Sequence, residues 1–153
     1  MQNIIKSQTR LAFIQFVFSI AYKDDDINNL KNEFEEYFHN LSINSIKEDQ
    51  ETKIKFNKNF FSNLVHNYSL INKKEITDNI NKIIVFDRSF DKWDNINKSL
   101  MYSILSELSF TSQDKVKIVL NDYLNIAKKF ISTKELKMIN AILDKYLNEK
   151  KIL

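Results

Sequence analysis

The sequence predicts an all-α fold, a single-domain helical bundle of about seven helices, and three observations support this prediction. The chain has 153 residues and contains neither Gly nor Pro, so the tight turns of a many-stranded sandwich or barrel would lack their usual residues. Apolar residues recur at helical spacing, most clearly at Ile96, Leu100, Ile104 and Leu108. A chain of this length can bury roughly 70% of its unfolded surface around one core, so residues 1–153 are expected to form one domain.

The first helix is predicted from Ile4 to Tyr22. Within it, Leu11–Tyr22 is apolar nearly all round, which is typical of a central core helix. The same run follows two cations and ends near Ala21, a pattern that also imitates a secretory signal peptide. It is too short to span a bilayer, which needs ~20 apolar residues. We favour the core helix and keep a secreted helical protein as an alternative.

The second helix is predicted from Ile27 to Phe38. The carboxylates of Asp24–Asp26 are expected to stabilise its N-terminus, which is a more common role for such a run than metal binding. A polar connection should follow over His39–Thr52. Within it, a turn of helix is possible where Ser45 and Glu48 have capping-box spacing.

Helices three to five show apolar stripes at helical spacing. The third is predicted from Ile54 to Ile71, and the fourth begins near Asn72, with Glu75 in capping-box position. The fifth contains the stripe that ends at Leu108. The apolar residues that should line the fourth helix are Ile76, Ile80, Ile83 and Ile84.

The sixth helix is predicted after Thr111 and Ser112, and the seventh opens with the capping box Ser132–Glu135. Lys117, Asp122 and Lys128 should be exposed on the sixth helix. The residues of the sixth helix expected in the core are Leu120, Tyr123, Leu124, Ala127 and Phe130. Those of the seventh are Leu136, Ile139, Ile142, Leu143 and Tyr146.

Several kinds of chemistry lack their usual residues. A chain without Gly cannot form a P-loop, a dinucleotide-binding loop or a nucleophile elbow, and a chain without Cys has no thiolate nucleophile or Cys metal site. The two histidines, His39 and His66, do not have a metal-ligand spacing. We therefore expect no enzyme, no cofactor and no metal site. The net charge of +3 permits an anionic partner without requiring one.

Four segments of the last third carry a family resemblance through their order and spacing. They are Ser106–Leu108, Leu120–Asp122, Ala127–Phe130 and Met138–Asp144. Together they resemble the NusB family of bacterial transcription antitermination factors. The resemblance is strongest over residues Ile96–Tyr146 and implies two packed helical subbundles.

The resemblance also implies RNA binding, to a boxA-like single strand. Lys6 and Arg10 remain from an N-terminal cluster of cations that is usually larger in this family, and Lys134 stands where the family usually has Asp. Each cation on a phosphate adds to affinity through counterion release. From the residues alone, Lys6 and Arg10 fit a solvated helix start better, and Lys134 fits equally well an exposed residue of the capping-box turn.

A second surface of the family holds a small-subunit ribosomal protein, NusE. By resemblance, Phe18, Asn97 and Tyr102 lie near that surface. Phe18 lacks the hydroxyl of the usual Tyr and fits the core at least as well, and Asn97 lacks the charge of the usual Glu. Asn121 and Asn140 are expected to tie helix ends together.

The resemblance therefore implies a cytoplasmic factor without cofactor or catalysis. It would bind boxA-like RNA with NusE and help the RNA polymerase elongation complex to read through terminators in ribosomal RNA operons. Fewer N-terminal cations favour an alternative, a diverged module that binds proteins and little or no RNA. A further alternative is a detached accessory piece of a ribosomal RNA cytosine methyltransferase, since those enzymes also carry such a domain.

Overall fold

The computed structural model describes residues 3–22, 27–36, 56–85 and 88–152. Within these ranges the chain forms seven α-helices and two short 3-10 helices, without a strand, which confirms the all-α prediction. The α-helices are α1 (Asn3–Tyr22), α2 (residues 27–36), α3 (Lys58–Leu70), α4 (Lys73–Ile83), α5 (Asn95–Leu108), α6 (Val116–Ala127) and α7 (Thr133–Glu149). The 3-10 helices are Phe90–Lys92 and Gln113–Lys115.

The chain divides into two compact units, Met1–His66 and Asn67–Leu153. The core of the first unit is aromatic. The ring of Phe16 lies edge-on to the rings of Phe34 and Phe61, with centroids 5.5 and 5.7 Å away. Such edge-to-face pairs stabilise a core beyond the area that they bury.

The apolar run of α1 belongs to this core. Phe13, Ile14, Phe16 and Val17 are all buried, which confirms the prediction of a core helix. In the described ranges, no helix combines the length and the apolar character that crossing a membrane requires.

In the second unit, α5 is buried nearly all round. It packs against α6, and α7 packs against both α4 and α6. Small serines allow the neighbouring helices to approach, and their hydroxyls remain bonded inside α5. Ser103 donates to the carbonyl of Ser99 at 2.7 Å, and Ser106 donates to that of Ser103 at 3.0 Å. Because these polar groups are bonded, their burial costs little.

Local caps set several helix starts. The Asn72 side chain accepts from the backbone N–H of Glu75 at the start of α4, and Ser132 and Glu135 form the predicted capping box of α7. The predicted start of the third helix at Ile54 is wrong, because Asn57 still lies outside α3. The Asn57 side-chain oxygen accepts from the N–H of Phe60 at 2.8 Å and so caps the helix.

The sixth helix is shorter than predicted. It follows the 3-10 turn at Gln113–Lys115 and ends at Ala127, so Phe130 lies outside it and is half-buried. Leu124 and Leu136 are also half-buried, although both were expected in the core. The predicted Asp24–Asp26 cap, the connection at His39–Thr52 and residues 37–38 of the second helix lie outside the described residues.

Candidate nucleic-acid interface

The two predicted cations of α1 lie one helical turn apart in different surroundings. Lys6 is half-buried near the start of the helix. Arg10 is only 7% exposed, and its guanidinium carbon lies 5.3 Å from the ring centroid of Phe60. A guanidinium over a ring face is attracted by the ring quadrupole. Arg10 therefore contributes to packing in the first unit, and Lys6 is the more accessible of the two to a phosphate.

A chain of hydrogen bonds holds Phe60 beneath Arg10. The Thr9 hydroxyl donates to the carbonyl of Ile5 at 2.7 Å and accepts from the backbone N–H of Asn57 at 3.1 Å. Asn57 in turn caps the helix that carries Phe60. The side chain of Thr9 thus links the N-terminal half of α1 to the start of α3, which fixes the position of the ring.

Lys134 is exposed as the second residue of α7. The first turn of a helix carries partial positive charge on its free N–H groups. The Lys134 ammonium adds to that charge, and the Glu135 carboxylate in the same turn opposes it.

Asn97 connects the first turns of α5 and α7. Its backbone N–H donates to the carboxylate of Asp94, the N-cap of α5, at 3.0 Å. Its side-chain amide donates to the carboxylate of Glu135 at 2.6 Å. The residue is 6% exposed. Asn97 therefore positions Glu135 and the first turn of α7, which carries Lys134.

Glu135 is held as a carboxylate. The hydrogen bond from Asn97 and the bonds from the hydroxyl and N–H of Ser132 lower the pKa of Glu135 below its usual value. Because the folded pKa is lowered, this group stabilises the fold at neutral pH. The stabilisation is lost as the pH falls through the folded pKa, from about pH 5 downward.

We expect Ser132→Ala to lower the free energy of unfolding by about 1 kcal/mol at pH 7, because the backbone N–H of Glu135 loses its acceptor. Part of the difference should disappear in acid, because the Ser132 hydroxyl also donates to the Glu135 carboxylate at 2.9 Å and that charge is lost when Glu135 is protonated. Urea unfolding at neutral and acidic pH measures it. Ser112→Ala is the control, because Ser112 precedes a 3-10 helix without a side-chain cap bond. An equal loss in both variants would contradict the role of the capping box.

Tyr102 lies on a different face of α5, beside α4. Its hydroxyl is 3.2 Å from that of Thr77, and its ring is edge-on to Phe90 at 5.5 Å. The ammonium of Lys73 lies 4.7 Å from the ring centroid of Tyr68 and 5.6 Å from that of Tyr102. Burial lowers the pKa of Lys73. Sequence reasoning missed this cation, because no local pattern indicates that it lies over two rings.

The other residues considered in the sequence are Phe18 and the two histidines. Phe18 is half-buried on α1, so its place near the partner surface stays a prediction beside the alternative of a core residue. His66 is exposed on α3, and His39 lies outside the described residues. In the described part of the chain, no group of three His, Asp or Glu side chains is placed to hold a metal ion.

The structure brings some of the predicted residues together. Lys6 and Arg10 follow each other on α1, and Asn97 and Lys134 lie at two helix starts joined through Glu135. Tyr102 belongs to the separate cluster with Thr77 and Phe90. Within the second unit, Tyr102 therefore belongs to a different cluster from Asn97 and Lys134.

Comparison with known proteins identifies the family. The model of the NusB family matches residues 7–148. A transcription antitermination protein NusB from Rickettsia massiliae is 27% identical over 94% of this chain and 92% of its own length. The protein of the same name from Fervidobacterium nodosum is 30% identical over 77% of each chain, and that from Rickettsia bellii is 26% identical over 95% of this chain and 92% of its own length. The match runs through both compact units and all seven α-helices, so this chain belongs to the NusB family.

Proposed function

We propose that this protein is a cytoplasmic transcription antitermination factor. It binds boxA-like single-stranded RNA together with the small-subunit ribosomal protein NusE and helps the RNA polymerase elongation complex to read through terminators in ribosomal RNA operons. The main support is the family match over residues 7–148. Binding of this kind needs neither a cofactor nor a catalytic residue.

The accessible cations support RNA as the ligand. Lys134 adds its charge to the positive start of α7, and Lys6 extends from the first turns of α1. Protein cations bind RNA mainly by displacing counterions from phosphates. The affinity should therefore fall steeply as salt increases.

Lys6→Gln should weaken the binding of boxA-like RNA. Loss of one phosphate contact on a single strand should reduce the slope of log affinity against log salt by about 0.7. Fluorescence anisotropy of a labelled RNA over a series of salt concentrations measures this slope. The control is Lys82→Gln, which removes the same charge from an exposed position on α4. An identical slope for both variants would remove Lys6 from the RNA site.

The burial of Arg10 affects which variants are informative. An Arg10→Glu variant would place a carboxylate against the ring of Phe60 and lose the packing of the Arg stem. Weaker RNA binding in that variant would then reflect damage to the first unit as well as a lost phosphate contact. Lys6 separates the two effects because it is more exposed.

The burial of Arg10 on Phe60 also favours a second candidate, a protein-binding module with little RNA affinity. Arg10 is one of the two N-terminal cations that the resemblance assigned to RNA, and its charge already has an aromatic partner. Titration of NusE without RNA separates the candidates. Tight binding of NusE with no RNA binding in either its presence or its absence would favour the second candidate.

A further inference from the structure

An open groove of about 340 Å³ lies between α6 and α7. Its polar lining consists of three amides and two ammonium groups and contains no carboxylate. These residues are Asn121, Asn125, Lys128, Lys137 and Asn140. The volume is near the lower end of the range for ligand sites, ~300 Å³. The groove is therefore large enough for one nucleotide-sized group.

The charge around the α6–α7 groove favours an anion. Lys128 and Lys137 line it, and Lys134 precedes Lys137 by about one turn on α7. All three are exposed, and within the described ranges none of them forms an ion pair. Since no carboxylate neutralises these cations, a bound polyanion would gain from displacing its counterions here.

The side-chain amides favour a ligand that has both hydrogen-bond donors and acceptors, which a simple anion lacks. Asn121 and Asn140 are exposed, and the side chain of neither forms a hydrogen bond with another described residue. That they tie helix ends together stays a prediction. Each side-chain amide offers both donors and an acceptor. A carboxylate or phosphate accepts only, whereas the edge of a nucleobase presents donors and acceptors together.

The groove also has apolar surface for a ring. Leu124 of α6 and Leu136 of α7 are half-buried and line it beside the amides. The flat faces of nucleobases pack on such side chains when a base is unstacked in a single strand. The carboxylates of an acidic peptide would match the lysines, but they only accept hydrogen bonds and so would not use the oxygen acceptors of the amides.

We propose that the α6–α7 groove binds one nucleotide of a single-stranded RNA. Lys128 and Lys137 contact the phosphates on either side, and Asn121 and Asn140 bond the edge of the base. This inference rests on the proposed RNA-binding function and assigns part of that function to residues of the second unit, whereas Lys6 and Arg10 belong to the first.

Two double variants test the two halves of the proposal, both against the same labelled boxA-like RNA. Lys128→Gln with Lys137→Gln should weaken binding about tenfold near 0.1 M salt and reduce the salt slope by about 1.4, twice the value for one contact. Asn121→Ala with Asn140→Ala should weaken binding about tenfold with the salt slope unchanged, because base contacts release no counterions. The matched control is Lys74→Gln with Lys82→Gln, which removes two exposed charges from α4, a helix that does not line the groove.

The outcomes separate this inference from the proposed function. If the unchanged protein binds RNA and both groove variants bind it as tightly as the control does, the groove assignment is overturned and the proposed function stands. If the unchanged protein binds no RNA with or without NusE, the proposed function fails and the groove assignment fails with it. If the lysine variant loses binding to a poly-glutamate peptide while keeping its RNA affinity, the groove is a protein site and the proposal is wrong.

Circular dichroism verifies that each variant is folded, which is expected because surface substitutions change stability by only about 0.5 kcal/mol.

Discussion

Phe61→Ala is expected to lower the free energy of unfolding by about 3–5 kcal/mol, the usual cost of removing a buried phenyl ring. Phe61 is fully buried at the start of α3. Its ring contacts those of Phe16, Phe34 and Phe56, with centroid distances of 5.7, 6.4 and 5.2 Å. The substitution removes one member from every one of these pairs and leaves a cavity among rigid rings, which refill it poorly.

Urea unfolding followed by circular dichroism measures this loss. Phe110→Ala is the matched control, because it deletes the same ring from a side chain that is 54% exposed just after α5. The control should lose less than about 1 kcal/mol. A similar, small loss in both variants would show that the aromatic cluster does not form the core of the first unit.

Asn97→Asp is expected to destabilise the protein by about 2 kcal/mol at pH 7. The side-chain amide of Asn97 now donates to the Glu135 carboxylate at 2.6 Å in a buried position. The substitution replaces this donor with a second negative charge. Two carboxylates that share a buried site repel each other, and the pKa of the introduced carboxyl rises in the folded state. The loss should therefore be present at pH 7 and diminish as the pH falls through the raised pKa toward about 5.

Urea unfolding of Asn97→Asp at pH 7 and at about pH 5 checks that the loss of stability is larger at the higher pH. Asn95→Asp provides the control, because it makes the same charge change in the first turn of α5, where a carboxylate interacts favourably with the helix dipole. That control should be as stable as the unchanged protein. Equal stability of Asn97→Asp and the unchanged protein at pH 7 would rule out the contact between α5 and α7.

Local signals explain why most helices were predictable. The capping residues Asn72 and Ser132 act on backbone groups three residues away, so the sequence contains both partners side by side. At the start of α3 the Asn57 side chain is a local cap of the same kind, but the backbone N–H of Asn57 is bonded by the Thr9 hydroxyl, which is far away in the chain. No local pattern reports such a bond, and the predicted helix therefore began too early.

The residue types of the candidate site were predictable from the sequence, but the burial and the neighbours of each side chain were less so. The charges of Lys6, Arg10 and Lys134 are visible in the sequence, and their roles in RNA binding stay predictions. The burial of Arg10 follows from the position of the Phe60 ring, which depends on tertiary packing. In the same way, periodicity places Asn121 and Asn140 on helices but does not show that both face one open groove.

The proposed function depends on the binding of boxA-like RNA by this protein together with NusE. Fluorescence anisotropy of a labelled boxA-like RNA tests it most directly, with the protein alone and then with NusE from the same organism, at two salt concentrations. We expect binding that weakens at the higher salt concentration and tightens when NusE is added. A folded protein that binds no RNA under any of these conditions would contradict it.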